Sequence, residues 1–424
     1  MKEQLTEKLA EVWSSTKKYL TVFFRWTFLS CFVGVSAGFI GAAFYTCVNY
    51  VTGVREAAPM LIFLLPFAGL VIAFLYRIMG MRKDPGTNLL IESVLVSEQK
   101  VPQRMAVLIF ISTVITHLFG GSVGRESASL QLGGCCGSGI GRIFHLDEKD
   151  MKLITMCGMS AMFAAVFGTP ITATVFVMEF ISVGVMHYSA LLPCLTASVI
   201  AKLIANYFHL EAEAFVVTQT VPFDVVSTMQ IMALGACCAL AGIVFCWLMH
   251  TVNHALAKRI PNGYVRIFFG GCLVLLGTVL VGNTDYNGAG AAVMERAIEG
   301  EAVWYAFLLK MLFTAITIGA GYKGGEIVPS FFIGATMGCV VGPLLGLPAS
   351  FSAGLCLVGV FCAVVNCPLA SIILSVEMFG ADNMLYFAIV CVVSYMLSGP
   401  FSLYSSQRLM YSKLQPTFIN QKTM

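Results

Sequence analysis

Charged residues are scarce in this sequence. Only 11% of its 424 residues are Asp, Glu, Lys or Arg, whereas 58% are hydrophobic. This composition is far from that of a soluble globular domain, which carries about 25% charged residues. The net charge of +3 is too small to indicate binding to nucleic acid. The composition therefore indicates a protein whose main partner is the lipid bilayer, with no nucleic-acid partner.

Several signatures of chemical sites are also missing. The fifteen cysteines lie mostly within apolar runs, and their spacing fits neither a zinc site nor a secreted disulfide framework. No Gly-Lys-Ser/Thr follows the glycine-rich loops, which excludes a nucleotide P-loop. The spacing of His250 and His254 permits a metal pair, but their position at the end of an apolar run favours an interfacial pair. No motif places a nucleophile beside a base, so we expect neither an enzyme nor a cofactor or metal site.

Long hydrophobic runs, by contrast, recur along the whole chain. Several reach the roughly 20 residues that a helix needs to cross a bilayer, and others are short or interrupted by Gly and Pro. The runs lie at roughly 29–51, 60–75, 105–119, 153–180, 188–207, 229–250, 265–281, 303–320 and 355–376. Broken backbone in a bilayer is tolerated only where protein covers it or water fills a cavity. We therefore predict an all-α polytopic membrane protein with broken and re-entrant helices.

The sequence repeats itself about 200 residues downstream. Glu126 in GGSVGRES is answered by Glu326 in GYKGGEIVP. The other paired anchors keep the same order: Pro170 with Pro368, Glu179 with Glu377, Gly34 with Gly235, and Gly41 with Gly242. We interpret the duplicated Glu179 and Glu377 as structural residues that bind backbone groups. Two halves with glycine-framed polar breaks are typical of secondary transporters, although the number of spans leaves inverted and parallel repeats both open.

The repeat and the charge pattern predict the organisation of the chain. We expect an interfacial N-terminal helix at 1–24, a first repeat at 25–210, a link at 211–228, a second repeat at 229–410, and a C-terminal tail at 411–424. The N-terminal segment is polar and contains acids, which is not the pattern of a cleaved signal peptide. Lys and Arg precede the first span and follow the last, so both termini are predicted to be cytoplasmic.

The first polar break surrounds Glu126. Its glycines leave free N–H groups at the start of a helix, where an anion is attracted. Glu126 could fill this place as an internal anion, and it would act as an exchange gate if it left on protonation. The alternative is that Glu126 pairs with Arg125 or caps the helix. The gate is favoured because an acid at membrane depth is costly and usually functional.

The second break surrounds Glu326. The amides of Glu326, Ile327 and Val328 could face an anion, but a fixed negative charge there would repel it. Either the Glu326 carboxyl group is neutral, as burial favours, or it points away and carries protons. A purely structural, hydrogen-bonded Glu326 remains a third reading.

A third break, KDPGTNLLIES, spans residues 83–93. Pro85-Gly86 ends one segment, and Thr87-Asn88 can start the next with a hydroxyl and an amide at its N-terminus. Taken alone, this motif is an ordinary turn.

The three breaks, in this order, resemble those of the CLC family of chloride channels and anion/proton antiporters. The GREGP-type motif of the family is matched by residues 124–126, its GGIFAP-type motif by 324–329, and its GSGIP motif by position at 86–89. Its late anion-coordinating tyrosine corresponds to Tyr404 in SGPFSLYSSQR. The match covers nearly the whole membrane domain and lacks the cytoplasmic regulatory domains of many members. The resemblance implies an inverted-repeat homodimer with one anion pathway per subunit and Glu126 as the gating glutamate.

Three departures from the family pattern are informative. Thr87 stands where chloride-type members have serine, Phe180 where exchangers have a second proton glutamate, and Glu326 where the GGIFAP motif has isoleucine. Together they resemble the fluoride-exporting branch. That resemblance implies a secondary active fluoride/proton antiporter in the bacterial inner membrane or plasma membrane.

Fluoride is small and strongly hydrated, so its site must replace the hydration shell with hydrogen-bond donors. The predicted gating and proton-coupling residues are Glu126 and Glu326, and the predicted anion-binding residues are Thr87, Asn88, Ile327, Val328 and Tyr404. A protonated glutamate could donate directly to fluoride. The rival readings are a chloride/proton antiporter or chloride channel of the same fold, and a cation-coupled solute transporter, which would need more paired acids and a roomier cavity.

Overall fold

The computed structural model describes residues 2–81, 84–96, 100–217 and 219–424, with side chains in the first helix described at Gln4 and from Val12 onward. Three positions that the sequence analysis placed in the N-terminal helix, the third break and the link lie outside the described residues: Met1, Lys83 and Thr218.

Two series of helices follow one another in the described chain. The first comprises α1 (Lys2–Ala57), α2 (Leu65–Ile78), α3 (Thr87–Leu95), α4 (Arg104–Leu118), α5 (Glu126–Ile143), α6 (Glu148–Phe167), α7 (Pro170–Phe180) and α8 (Leu191–Tyr207). The second comprises α9 (Val225–Arg259), α10 (Gly263–Val281), α11 (Ala291–Glu299), α12 (Ala306–Ala320), α13 (Ile327–Leu344), α14 (Ala349–Val365), α15 (Pro368–Phe379) and α16 (Met384–Leu397). Short 3₁₀ helices lie at Pro59–Leu64 and Tyr188–Ala190. Helices α3 to α7 start about 200 residues before α11 to α15, so the duplicated sequence anchors lie on duplicated helices.

Some of these helices are long enough to span a membrane and others are not. Seven segments in the described chain have the length and hydropathy of a span: Val12–Ala57, Pro59–Ile78, Glu148–Phe167, Tyr188–Tyr207, Val225–Arg259, Gly263–Val281 and Ile327–Leu344. The shorter apolar helices include α7 and α15, which are too short to cross a bilayer alone. The broken segments that the sequence predicted are therefore present.

Glycine allows the site-bearing helices to approach their neighbours closely. A Cβ atom on Gly133 of α5 would lie 2.2 Å from the carbonyl oxygen of Gly158 on α6. A Cβ atom on Gly334 of α13 would lie equally close, 2.2 Å, to the carbonyl oxygen of Cys356 on α14. Within each repeat, two central helices thus pack with their backbones in close contact, α5 on α6 and α13 on α14, as small residues permit in membranes.

A small sheet, which the sequence analysis did not anticipate, joins the end of the chain to the first repeat. Strand β1 (Ser182–Val183) pairs parallel with β2 (Arg408–Tyr411), and β2 pairs antiparallel with β3 (Phe418–Lys422). Just after β3, the Thr423 hydroxyl donates to the backbone oxygen of Tyr404 at 2.7 Å. Residues 411–424 therefore support the segment that carries Tyr404, and their separation as a tail stays a prediction.

Candidate functional site

The starts of α5 and α13 meet at a backbone bridge. Gly124 and Gly325 each donate an N–H to the other's carbonyl oxygen at 2.6 Å, in an antiparallel arrangement. Helix α5 begins at Glu126 and α13 at Ile327, two residues after the bridging glycine in each repeat. Free first-turn amides and the positive ends of two helix dipoles thus lie close together, as the two glycine-framed motifs predicted.

The bridge requires glycine at both positions. A Cβ atom on Gly124 would lie 2.6 Å from Oε2 of Glu126 and 3.0 Å from Cβ of Val328. A Cβ atom on Gly325 would lie 2.8 Å from the backbone nitrogen of Ser127. Any side chain at either position would fill the space over the helix starts and cover their amides.

Glu126 lies in the protein interior at the start of α5, and its side chain is 1% exposed. Its Oε2 accepts the Arg125 backbone N–H at 2.9 Å, and its Oε1 lies 3.5 Å from Nε of Arg125. The Arg125 guanidinium also contacts Glu213 at 3.2 Å and lies over the ring of Tyr45 at 4.1 Å. The pairing with Arg125 is therefore present, and the role of Glu126 as a gate stays a prediction.

A polar cluster lies beside this helix start. The hydroxyl groups of Ser127 and Tyr404 are 3.3 Å apart, and the Glu326 carboxyl group lies beside both side chains. The ring of Phe180 packs edge-to-face on Tyr404 with centroids 4.8 Å apart. Ser127, the residue directly after Glu126, is thus hydrogen-bonded to Tyr404 next to the carboxyl group of the second repeat.

A cavity of about 830 Å³ leads to this cluster. Four of the predicted residues line it: Thr87, Asn88, Glu326 and Tyr404. The other three, Glu126, Ile327 and Val328, are buried and do not line it. The predicted site is therefore divided into an accessible layer that ends at Glu326 and an occluded layer at the start of α5 and α13. Basic side chains at the cavity wall, which favour anions, are Arg77, Arg266 and Lys323.

The N-terminus of α3 contributes donors to the accessible layer. Gly86 precedes the helix with φ of +60°, and its N–H donates to Oδ1 of Asp84 at 3.1 Å. Nε2 of Gln131 donates to the Thr87 hydroxyl oxygen at 3.1 Å. Oδ1 of Asn88 accepts the backbone N–H of Ser406 at 2.9 Å, which leaves its Nδ2 group as the donor.

An ion pair joins the second and third breaks in the loops outside the spanning helices. Nζ of Lys323 lies 2.9 Å from Oδ2 of Asp84, whose side chain is 1% exposed, and the ammonium group lies over the ring of Tyr76 at 4.5 Å. Burial alone raises the pKa of Asp84, but the Lys323 ammonium group and the Gly86 N–H bring that pKa below its ordinary value. Sequence reasoning missed this pair because Asp84 was interpreted only as part of a turn.

The duplicated glutamates at the ends of α7 and α15 have the structural role expected of them. The Glu179 carboxylate accepts the N–H groups of Leu369 and Ala370 at 3.3 and 2.9 Å. The Glu377 carboxylate accepts those of Ile171 and Thr172 at 3.1 and 2.8 Å. Each glutamate thus caps the helix start of the opposite repeat, which confirms the prediction.

Nε2 of His250 lies 2.8 Å from the carbonyl oxygen of Ser402, and within the described ranges no group of three or more metal-ligating side chains is placed to hold a metal ion.

Ser127 and Gln131 were not identified from the sequence. Their signal was helical spacing: Ser127 follows Glu126 directly, and Gln131 lies four residues later on the same face of α5.

Comparison with known proteins identifies the family. Residues 68–399 match the sequence pattern of the family described as voltage gated chloride channel. This match covers well over half of the chain, which therefore belongs to this family, the CLC family. Its polytopic helical fold with two inverted repeats is confirmed by solved structures.

Individual relatives are similar along most of their length. A chloride/fluoride channel protein from Pseudomonas syringae pv. tomato is 35% identical over 395 residues, which cover 92% of this chain and 87% of the relative. The crystal structure of a CLC-type fluoride/proton antiporter superimposes with a TM-score of 0.87 at 33% identity, covering 91% of this chain and 98% of that one. A slow cyanobacterial Cl⁻/H⁺ antiporter, with a TM-score of 0.73 at 19% identity over 88% and 94% of the two chains, supports the fold alone.

Proposed function

We propose that this protein is a secondary active antiporter that exports fluoride from the cytoplasm in exchange for protons. The observation that carries the proposal is the junction of two helix N-termini at Gly124 and Gly325, with the Glu126 carboxyl group buried against one of them. Hydrogen-bond donors line the cavity that leads to this junction. The 35% identical relative is a chloride/fluoride channel protein and the 33% identical structure is a fluoride/proton antiporter, and both support the same substrate.

Glu126 is the gate in this mechanism. As a carboxylate, Glu126 accepts the Arg125 N–H and so occupies the anion-binding position at the N-terminus of α5. A dissolved anion would otherwise bind there. Protonation removes its charge and weakens both the hydrogen bond and the ion pair with Arg125. The side chain can then leave, and an anion takes its place. In this mechanism, each proton that Glu126 binds allows one anion to pass the junction.

The anion path begins at the donors of Thr87, Asn88 and Tyr404 and ends at the amides of Ile327 and Val328. A small, strongly hydrated anion needs such donors to replace its water shell. Glu326, which lines the cavity beside Ser127 and Tyr404, provides a titratable group between the cavity and Glu126. Protons take this route in our proposal, because the phenyl ring of Phe180 cannot titrate.

The orientation in the membrane follows from the first two spans. Helix α1 crosses the bilayer and α2 returns, so the end of α2 lies on the side where α1 enters. Arg77, near this end, lines the cavity. Because Lys and Arg precede the first span, we place this side, both termini and the cavity mouth in the cytoplasm. The division into repeats at 25–210 and 229–410 belongs to the same proposal.

We further propose a homodimer in the cell membrane, with one pathway per subunit. Apolar side chains on α8 and α16 are exposed in the single chain, and contact with lipid or a second copy would cover them. These side chains are Leu191, Leu195, Leu385 and Val392. Crosslinking of the protein in native membranes tests this part of the proposal, and a persistent monomer there would contradict it.

Transport by the purified protein in liposomes tests the proposed function. A fluoride gradient across vesicles made permeable to potassium with valinomycin should drive protons against their own gradient, and protein-free vesicles are the control. Chloride added at equal concentration should compete weakly. A preference for chloride would assign the chloride/proton antiporter instead, and an anion flux that is independent of a proton gradient would assign a channel.

A further inference from the structure

One buried amide beside the cavity is only half satisfied. Gln131 lies on α5 with 5% of its surface exposed, and its Nε2 group donates to the hydroxyl oxygen of Thr87. Its Oε1 atom accepts from no donor in the described part of the protein. Both side chains line the cavity, and the amide packs against Gly86 at the start of α3. Buried polar atoms without a partner are rare and require an explanation.

The chemistry of the two groups fixes the direction of the Thr87 hydroxyl. The NH₂ group of an amide can only donate, so the hydroxyl oxygen of Thr87 must accept in this contact. The hydroxyl group keeps one proton to donate, and no acceptor for it is found among the described residues. Because Thr87 lines the cavity, the bond from Gln131 directs this proton to the space through which an anion enters.

We infer that Gln131 is a positioning residue that holds Thr87 as a hydrogen-bond donor to the transported anion and thereby favours fluoride over chloride. This inference rests on the proposed function. Fluoride is the stronger hydrogen-bond acceptor, so a donor held in place favours it more than it favours chloride. The free Oε1 atom accepts a hydrogen bond from water that accompanies the anion, which satisfies the amide during entry.

Two substitutions separate orientation from packing. Gln131→Leu keeps the approximate volume but leaves the Thr87 hydroxyl free to rotate. Gln131→Glu keeps the shape, but a carboxylate only accepts and would take the Thr87 proton away from the anion. We expect the ratio of fluoride to chloride transport to fall about tenfold in Gln131→Leu and further in Gln131→Glu, which is the scale of one hydrogen bond to a charged group.

A double-mutant cycle with Thr87→Val makes the test specific. If Gln131 acts through the Thr87 hydroxyl, Gln131→Leu should change the ratio strongly in the wild type and by less than about twofold once Thr87 is Val. The matched control is Gln103→Leu, which removes an amide that donates to the Cys135 carbonyl oxygen on the same helix at 2.9 Å but does not line the cavity. The control should keep the wild-type ratio.

The readout is the anion ratio in liposomes, measured only on variants that elute as the wild type does in gel filtration. An unchanged ratio in Gln131→Leu, or equal effects with and without the Thr87 hydroxyl, would overturn the inference. If Gln131→Leu does not fold, calorimetry of fluoride binding to the Gln131→Asn protein replaces the transport measurement. The shorter side chain should weaken fluoride binding, and an affinity equal to that of the wild type would also refute the inference. A wild type that carries only chloride would refute the proposed function, while the cycle on chloride flux would still report the coupling.

Discussion

Replacing Glu126 by glutamine tests the exchange mechanism directly. The variant keeps the shape of the side chain but cannot bind or release a proton near neutral pH. The carbonyl oxygen of the amide can still accept the Arg125 N–H, which the carboxylate accepts at 2.9 Å, but as a neutral group. The other end of the amide would then present an NH₂ group to the guanidinium, whose Nε now lies 3.5 Å from Oε1.

The structure gives the scale of this loss. A hydrogen bond with a charged partner contributes about 1 kcal/mol more than a neutral one. The ion pair with Arg125 adds about 1 kcal/mol, since Arg125 also contacts Glu213 and is partly exposed. The position of the residue-126 side chain against the Arg125 N–H is therefore destabilised by about 2 kcal/mol, which lowers the occupancy of that position about 30-fold. If the side chain competes with fluoride for this place, Glu126→Gln should bind fluoride up to about 30-fold more tightly at a pH where the wild-type carboxyl group is charged.

Two assays measure these effects. Calorimetry on purified protein gives the fluoride affinity, and a pH electrode on proteoliposomes gives proton movement, which should fall to the level of protein-free vesicles. Glu213→Gln is the matched control: it removes the other partner of Arg125 and should retain proton coupling. Unaltered proton coupling together with unchanged fluoride affinity in Glu126→Gln would remove Glu126 from the mechanism.

Three further substitutions test the framework around the site through the thermal unfolding midpoint in detergent. Glu377→Ala removes the acceptor of two N–H groups at the start of α7 and should cost about 2 kcal/mol, so an unchanged midpoint would contradict the cap. Asp84→Asn should lower the free energy of unfolding by about 2 kcal/mol because it leaves the Lys323 ammonium group unpaired. The same substitution should have a smaller effect in a protein that already carries Lys323→Met, and additive losses would show that the pair is not coupled. Since folding lowers the pKa of Asp84, its contribution is present above the ordinary carboxyl pKa and is lost as the pH falls through the folded value, and the Asn variant should lack this acid-side loss. Gly133→Ala should lower stability by about 2 kcal/mol, whereas Gly53→Ala, which meets no atom within 4 Å, should not; equal midpoints would contradict the close approach of α5 and α6.

Local sequence determined where the functional helices begin. A glycine pair or a Pro-Gly step followed by an apolar helical pattern stops one segment and starts the next. Proline removes a donor, Gly86 adopts a φ of +60°, and the glycines before α5 and α13 leave room for close backbone contact. Helices α3, α5 and α13 accordingly start at Thr87, Glu126 and Ile327, at or next to the motifs. The duplicated order of motifs also predicted the duplicated order of helices. These features depend on residues near one another in the chain, so they can be read from the sequence.

The partners of those helix starts were decided only by the tertiary structure. The bridge between Gly124 and Gly325, the cluster of Glu326 with Ser127 and Tyr404, and the bond from Gln131 to Thr87 all join segments that are far apart in the chain. Helical spacing places Gln131 on the same face of α5 as Ser127, but it does not reveal Thr87 as its partner. A buried polar group must find its partner wherever the backbone brings one within about 3 Å, and the packing of two complete repeats determines that place.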